Sequence, residues 1–260
     1  MAAGVRINAT SRVFGSGMLK PLSLPQHLCH QDTHLEQSFG VLCWNTQKKT
    51  LDRRFQYRLW SLVHQYPSAM LLLQEAKLPL GQRINLAGLS YAMAPNIQTA
   101  SHQYGVLTAS NCHFSELEPL LSHSRELRFA THKSAMLSWH LLPDGRPLLV
   151  ANVHAVNFVH HRRFWAEMEE LRGRLHHHSG PMVVAGDFNV WNHKRNGYLA
   201  AFAKELGLTQ AVMENPHHIK SMFRLPLDFI FYRGLTLEAA IAIDTDVISD
   251  HNPIYARFAC

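Results

Sequence analysis

Four carboxylates in this chain sit where carboxylates are costly. Glu75 ends the apolar run AMLLLQE, Asp187 ends VVAGD, Asp228 opens DFIFY, and Asp250 lies in ISDHNPI at the entry to the last apolar run. Amides and imidazoles keep the same company. Asn45 ends VLCWN, His154 ends LLVANVH, Asn157 follows three residues later, Asn189 is two past Asp187, and His251 adjoins Asp250. A carboxylate at the end of a strand buried on both faces must be paired, hydrogen-bonded or bound to a metal. One such acid reads as a turn or helix cap. Four of them, with two histidines and three asparagines, read as a single oxygen-rich site where strand ends meet. Hard oxygen donors with few histidines suit Mg²⁺ or Mn²⁺ better than zinc. Carboxylate-supported histidines beside such an ion would handle protons near neutral pH. The pairs His160-His161 and His217-His218 and the run 176–178 read instead as solvated helix or loop residues.

The elements that must position these residues are legible as apolar runs. Gly40 to Trp44, Ala69 to Leu73, Tyr104 to Ala109, Ala135 to Leu142, Leu148 to Val153, Met182 to Ala185, Leu227 to Tyr232 and Pro253 to Phe258 read as strands, with Leu237 to Ile243 a further member. Helical spacing recurs in Phe55, Leu59, Leu62 and Val63, and again in Phe164, Met168, Leu171 and Leu175. A third helix is expected over Asn196 to Leu206, closed by Gly207. PDGRP at 143–147 is a hairpin turn signal. Strand–helix–strand units mixed with adjacent strands predict a mixed α/β sandwich, not a purely parallel sheet. Residues 1–38 lack periodicity and read as an extended leader; residues 39–260 read as one domain.

Composition narrows the class further. Of 260 residues, 47% are hydrophobic and 17% charged, which excludes wholesale disorder. No apolar run approaches the roughly 18 residues of a membrane span, and no amphipathic membrane helix stands out, so a soluble, cytoplasmic protein without stable membrane association is expected. Cys29, Cys43, Cys112 and Cys260 are too widely spaced for a disulfide framework or a paired zinc site. The net charge is +6, and 17 of the 25 basic residues are Arg, whose planar fork suits phosphate oxygens. If the four strand-end acids turn inward, the rest of the chain carries 25 bases against 15 acids. That is an acidic pocket in a basic exterior.

Taken in order, Trp44-Asn45, LLLQE ending at Glu75, His154-x-x-Asn157, GDFN at 186–189, LDFIF at 227–231 and SDHNPI at 249–254 resemble the endonuclease/exonuclease/phosphatase (DNase I-like) superfamily. The resemblance runs from about Gly40 to the C-terminus, and its wording is nearest the YafD-type bacterial subgroup. It implies a four-layered α/β sandwich, two mixed β-sheets packed face to face with helices outside, and metal-dependent phosphoester hydrolysis. By motif position Glu75 would be the principal metal ligand, with Asn45 and Asp250 in or near the metal shell. Asp187 would orient the attacking water and Asn189 would contact the phosphate. Asp228 would pair with His251, which acts as general base or as a cationic clamp. His154 matches the DNase I and sphingomyelinase branches and argues against the abasic-site endonuclease branch. Asn157 would be a phosphate contact.

In such a sandwich the loops after the strand ends border the site, and they carry bases. Lys48 follows the Asn45 strand, and Lys194 and Arg195 follow Asn189. Trp191 would stack on a base or pack under its loop, and Arg224 lies where the superfamily places a substrate-contacting loop. A basic rim suits an extended polyanion. The expected function is therefore a divalent-metal-dependent phosphodiesterase, a nuclease acting on DNA or RNA. The alternatives are a phosphatase or phosphodiesterase for a phospholipid headgroup or small phosphorylated metabolite, and a non-catalytic nucleic-acid-binding module.

Overall fold

Alternation along each strand decides the layers of this protein. The computed structural model describes residues 24–30, 32–125, 132–157 and 160–260. In the strand Ser38–Asn45, Val41 and Cys43 enter one core while Leu42 and Trp44 enter another, and all four are almost wholly buried. Side chains of a strand point alternately to opposite faces, so a run buried throughout needs cover on both. A second sheet covers one face and a helix the other.

Numbered in chain order, the first sheet runs β1 (Gln26–His27), β4 (Ser90–Gln98), β5 (His102–Ser110), β3 (Met70–Pro79), β2 (Ser38–Asn45), β15 (Ile254–Ala259), β14 (Thr236–Ala242). The second runs β10 (Thr209–Gln210), β13 (Asp228–Arg233), β9 (Met182–Asp187), β8 (Pro147–His154), β7 (His132–Leu141), β6 (Glu116–Arg125). A hairpin of β11 (Ser221–Met222) and β12 (Leu225–Pro226) stands apart. Each large sheet holds one parallel pair joined by a helix: β2 and β3 through α1 (Arg53–Gln65), β8 and β9 through α2 (His161–His176). The inter-sheet core contains Val41, Leu72, Val150, Val183, Ile230 and Ile254. Outside it, Phe55, Leu59 and Leu62 of α1 cover the first sheet. Phe164 and Met168 of α2 and Leu199 and Phe202 of α3 (His193–Glu205) cover the second. This is the mixed α/β sandwich the periodicity predicted, in the four layers the resemblance implied.

Two long strands, and four of two residues each, go beyond the expected set. β4 carries Pro95 at a register shift in its pairing with β5, and β6 carries Pro119 on an outer strand of its sheet. Proline cannot donate to a ladder, so it is tolerated at bulges and edges and masks the strand signal in sequence. The third helix starts three residues earlier than its apolar spacing suggests, because the Asn192 side chain caps it by accepting from Arg195 N at 2.9 Å. Residues 1–23 lie outside the described residues. Further along, Gln26–His27 pair with β4, and the buried Leu35 donates its N–H to Leu141 O at 2.8 Å.

At the pole opposite the strand ends that carry the acids, His140 is fully buried between the Ser138 hydroxyl (3.0 Å from Nε2) and the Cys112 thiol (3.6 Å from Nδ1). Burial, with a smaller push from His113, lowers its pKa to about 3. The folded value lies below the unfolded one near 6.5, so the stability of the neutral imidazole is complete above pH 6.5. It is lost as pH falls from there toward 3. Between pH 7.5 and 5 the wild type should lose about 2 kcal/mol more than a His140→Gln variant. Urea unfolding at the two pH values measures this, and equal losses would refute it.

Candidate active site

The parallel pairs place their carboxyl ends on the same pole, where open α/β sheets gather their ligands. Asn45 ends β2 and His154 and Asp187 end β8 and β9, while Asp228 opens the antiparallel β13. Register partners put His154 beside Asp187 on one side and Asp228 beside it on the other. Gly186 lets the second sheet close here. Its φ is 152°, and a Cβ at that position would overlap the Val153 carbonyl oxygen.

Asp187, buried at 2% exposure, is the meeting point. Its Oδ2 accepts from Asn45 Nδ2 at 2.9 Å and lies 3.5 Å from His154 Nε2 and 3.9 Å from His251 Nε2. Its Oδ1 accepts from Asn189 N at 3.0 Å, and Asn189, at φ 51°, donates Nδ2 to Ala155 O. Asp228 Oδ2 accepts from His251 Nδ1 at 2.8 Å, whereas buried Asp228 Oδ1 has no hydrogen-bond partner among the described residues. Burial alone would lower the pKa of His251. Asp228, by charge and by hydrogen bond, then Asp187 and Asp250, more than reverse this and bring it to about 9. The pairing with Asp228 thus favours the imidazolium form of His251.

The loop bearing His251 is held from beneath. Trp44 Nε1 donates to His251 O at 2.8 Å, and Ser249 Oγ donates to Asn45 O at 2.7 Å. Glu75 sits on a bulge. The β3–β5 register shifts between Leu73 and Ala76, and Glu75 itself adopts φ 49°. That left-handed turn aims its carboxylate at His154, with Oε1 3.9 Å from Nε2. The bulge is pinned by Thr46 Oγ1, which contacts the carbonyls of Gln74 and Glu75 at 3.0 Å each, and by Lys48 N donating to Glu75 O at 3.0 Å.

Gln74 and Asn152, both fully buried in the inter-sheet core, went unnoticed in the sequence. Gln74 Nε2 donates to Asn152 Oδ1 at 2.7 Å and Asn152 Nδ2 to Leu107 O at 2.9 Å. This amide pair joins the residue before Glu75 to the residue two before His154. A lone amide inside an apolar run, as in LLLQ and LLVAN, was the available signal.

Arg195 and Asp250 depart from expectation, and Trp191 takes the second of its two expected roles. Arg195 is enclosed at 0% exposure. Its Nη1 donates to Val156 O and Asn189 O at 2.9 Å each, and its guanidinium stacks between Phe164 and Trp191 at 4.6 and 4.9 Å. It clamps the loops after β8 and β9 together from within and presents no rim charge. Trp191 accordingly packs against that guanidinium. Asp250 is 45% exposed at its side chain and faces Lys220 Nζ at 3.8 Å, outside the Asp187–Asp228–His251 cluster. Lys48, Lys194 and Arg224 are exposed, as a rim requires, and Asn157 is half-buried on the loop after β8.

Ligand atoms of Asp187, Asp228 and His251 lie within 4.8 Å of one another. With the unpartnered Asp228 Oδ1, and with Glu75 and Asn45 at the same pole, the oxygens gathered here fit a hard divalent cation, while His251 stays paired with Asp228. An α/β sandwich with an acid–histidine cluster at the carboxyl ends of its parallel strands defines a class of phosphoester hydrolases. The chain belongs to the endonuclease/exonuclease/phosphatase family, whose model matches residues 42–251. Solved structures agree on the fold. A family protein from Leptotrichia buccalis superposes with TM-score 0.64 at 13% identity, covering 85% of this chain and 100% of its own. The 3′ phosphatase NExo from Neisseria, bound to product DNA hairpin, gives 0.59 at 18%, covering 85% and 100%. The human Nocturnin catalytic domain with bound sulfate gives 0.58 at 17%, covering 87% and 96%. Among the described residues no helix is long and apolar enough to cross a membrane.

Two outcomes follow from this geometry. In EDTA, Asp228→Asn should lower the His251 titration midpoint by roughly a unit or more, because it removes the largest group raising it. Imidazole NMR would show this, and an unchanged midpoint would contradict the pairing. Asn152→Leu should cost about 1–3 kcal/mol by stripping Leu107 O and Gln74 of a partner. Chemical unfolding would register it, and a neutral effect would mean the amide pair carries no weight.

Proposed function

We propose that the protein is a divalent-metal-dependent phosphodiesterase, a nuclease acting on DNA or RNA. The observation that carries this reading is the convergence of Asn45, His154 and His251 on the single oxygen Asp187 Oδ2, at 2.9, 3.5 and 3.9 Å. Glu75 and Asn45 would hold Mg²⁺ or Mn²⁺, and Asp250 would join them on turning from Lys220. When bound, such an ion stabilises charge on the phosphoryl oxygens and templates the attack.

The chain's own residues do the rest. Asp187, fixed by Asn45 and by the Asn189 amide, orients a water toward phosphorus and takes up its proton. His251, kept cationic by Asp228, neutralises a non-bridging oxygen as charge develops there. His154, whose Nε2 lies 3.5 Å from Asp187 Oδ2, would supply the proton that the leaving alkoxide needs. Asn189 and Asn157 contact the phosphate from the two loops that Arg195 clamps together. Lys48 and Arg224 on turns and Lys194 in the first turn of α3, all exposed, suit a substrate whose charge extends beyond one phosphate, and the DNA hairpin on the Neisseria neighbour is in keeping with that choice.

Asp187→Asn or Glu75→Ala should lower turnover of bis(p-nitrophenyl) phosphate by about a thousandfold or more with the melting temperature retained, and EDTA should abolish the wild-type rate. Turnover that survives either substitution would sink the site assignment. Labelled single- and double-stranded DNA and RNA decide the substrate. Binding without cleavage would mark a non-catalytic module, and cleavage of the small ester alone would mark a small-phosphoester enzyme.

A further inference from the structure

The bulge that aims Glu75 interrupts the first sheet, and the side chain that meets the interruption comes from the second. β3 and β5 pair regularly as far as Leu73 and Leu107, and pairing resumes only at Ala76 and Gly105. A bulge disrupts the ladder locally, and buried backbone groups beside it need other partners. Asn152, on β8 across the core, provides a donor at this point. Its Nδ2 donates to Leu107 O at 2.9 Å, with Leu73 O and Thr108 Oγ1 both at 3.4 Å. The two carbonyls belong to the last regular pair before the shift.

Gln74, inside the bulge, locks this contact in place. Its Nε2 donates to Asn152 Oδ1 at 2.7 Å and to Leu72 O at 3.1 Å, and lies 3.4 Å from Cys43 Sγ on β2. Both amides are fully buried, so neither has water as an alternative partner. Their places in the chain give the pair its reach. Gln74 directly precedes Glu75, while Asn152 lies opposite Ala185 in a register that reaches His154 and Asp187 two residues on. A single contact between side chains thus ties the backbone of Glu75 to the strand that carries His154. The other polar bridge between the sheets here, Asn45 Nδ2 to Asp187 Oδ2, runs through the reacting groups themselves. The Gln74–Asn152 pair stands behind them.

We propose that Asn152, acting with Gln74, is a positioning residue for the metal site: it holds the β3 bulge in the form that turns Glu75 toward His154. Without its amide, Leu107 O and Leu73 O lose their donor from the second sheet. The bulge then relaxes toward a regular ladder, and the Glu75 carboxylate leaves the oxygens gathered around Asp187. Metal affinity and the chemical step suffer together. The proposal rests on the metal-dependent reading above.

The test compares wild type, Asn152→Leu, Gln74→Met and Val150→Ala. Val150 lies on the same strand and in the same inter-sheet core, so its truncation weakens packing without removing a polar contact to the bulge. Mn²⁺ affinity is read by EPR of the free ion without substrate, kcat and KM on bis(p-nitrophenyl) phosphate, and stability by thermal melting. Asn152→Leu and Gln74→Met should raise the Mn²⁺ Kd roughly ten- to a hundredfold. Their kcat should fall while KM stays within about twofold of wild type. Val150→Ala should melt earlier with the Kd and kcat of wild type. If Asn152→Leu does not fold, Asn152→Ser, which removes the amide without adding bulk, should show the same rise in Kd. An unchanged Kd in the folded Asn152 variant would overturn the proposal. So would an equal rise in Val150→Ala, which would make the effect one of stability alone. Either result, with wild type binding Mn²⁺ and turning over the ester, leaves the metal-dependent reading standing. Wild type that does neither overturns both.

Discussion

Two carboxylates on neighbouring strands, Asp187 and Asp228, are direct register partners, and both are buried. Like charges held this close in a medium of low dielectric repel strongly, so the surrounding structure must supply donors to each. Asn45 crosses from the first sheet to reach Asp187, and Asn189 folds its own backbone back to the same group. His251 arrives from the loop before β15 to serve Asp228. That loop is in turn anchored to β2 by Trp44 and Ser249. The two sheets are therefore joined at this pole by polar contacts that exist because the two acids oppose each other. Deeper in the sandwich the Gln74–Asn152 pair is a further polar bridge within an inter-sheet core that is otherwise largely apolar.

Glu75 illustrates how such a site takes its shape from backbone geometry. A regular strand would send Glu75 to one face of the sheet and leave Gln74 on the other, with no freedom to aim either. The bulge and the left-handed φ of Glu75 redirect the carboxylate toward His154, at a cost of order 1–3 kcal/mol in backbone strain. Hydrogen bonds from Thr46 and Lys48 and the buried Gln74–Asn152 pair hold the distortion in place. Buried amides without partners would be expensive, so the same contacts that fix the bulge also remove the penalty of placing amides in the core.

What could be read from the chain follows from this division of labour. Strands buried on both faces, such as those ending in Asn45, His154 and Asp187, announce themselves as apolar runs, and the polar residues closing them stand out by contrast. β4 and β6 were invisible because Pro95 and Pro119 argue against a strand unless the bulge or the edge position is already known. Arg195 was misplaced because position near a helix start says nothing about which way a side chain turns. Only in three dimensions do Phe164 and Trp191 close over it and two loop carbonyls take up its hydrogen bonds. Asp250 has the opposite fate: it lies next to His251 in sequence, yet its carboxylate is turned out toward Lys220.

Charge counting at the pocket bears on the metal without any appeal to resemblance. Glu75, Asp187 and Asp228 bring three carboxylates together, and His154 and His251 can return at most two positive charges. Arg195, enclosed behind Asn189, spends its hydrogen bonds on carbonyls and faces away from solvent, so it does little to draw in an anion. A phosphodiester approaching that pocket adds a further negative charge to a region already in excess. The cations of Lys48, Lys194 and Arg224 are exposed, so salt in the solvent screens them beyond about 10 Å. They can gather a polyanion but cannot neutralise the reacting phosphate. A divalent cation among the carboxylates reverses the local sign, and the open Asp228 Oδ1 is the acceptor that such a change of sign would leave least exposed to repulsion.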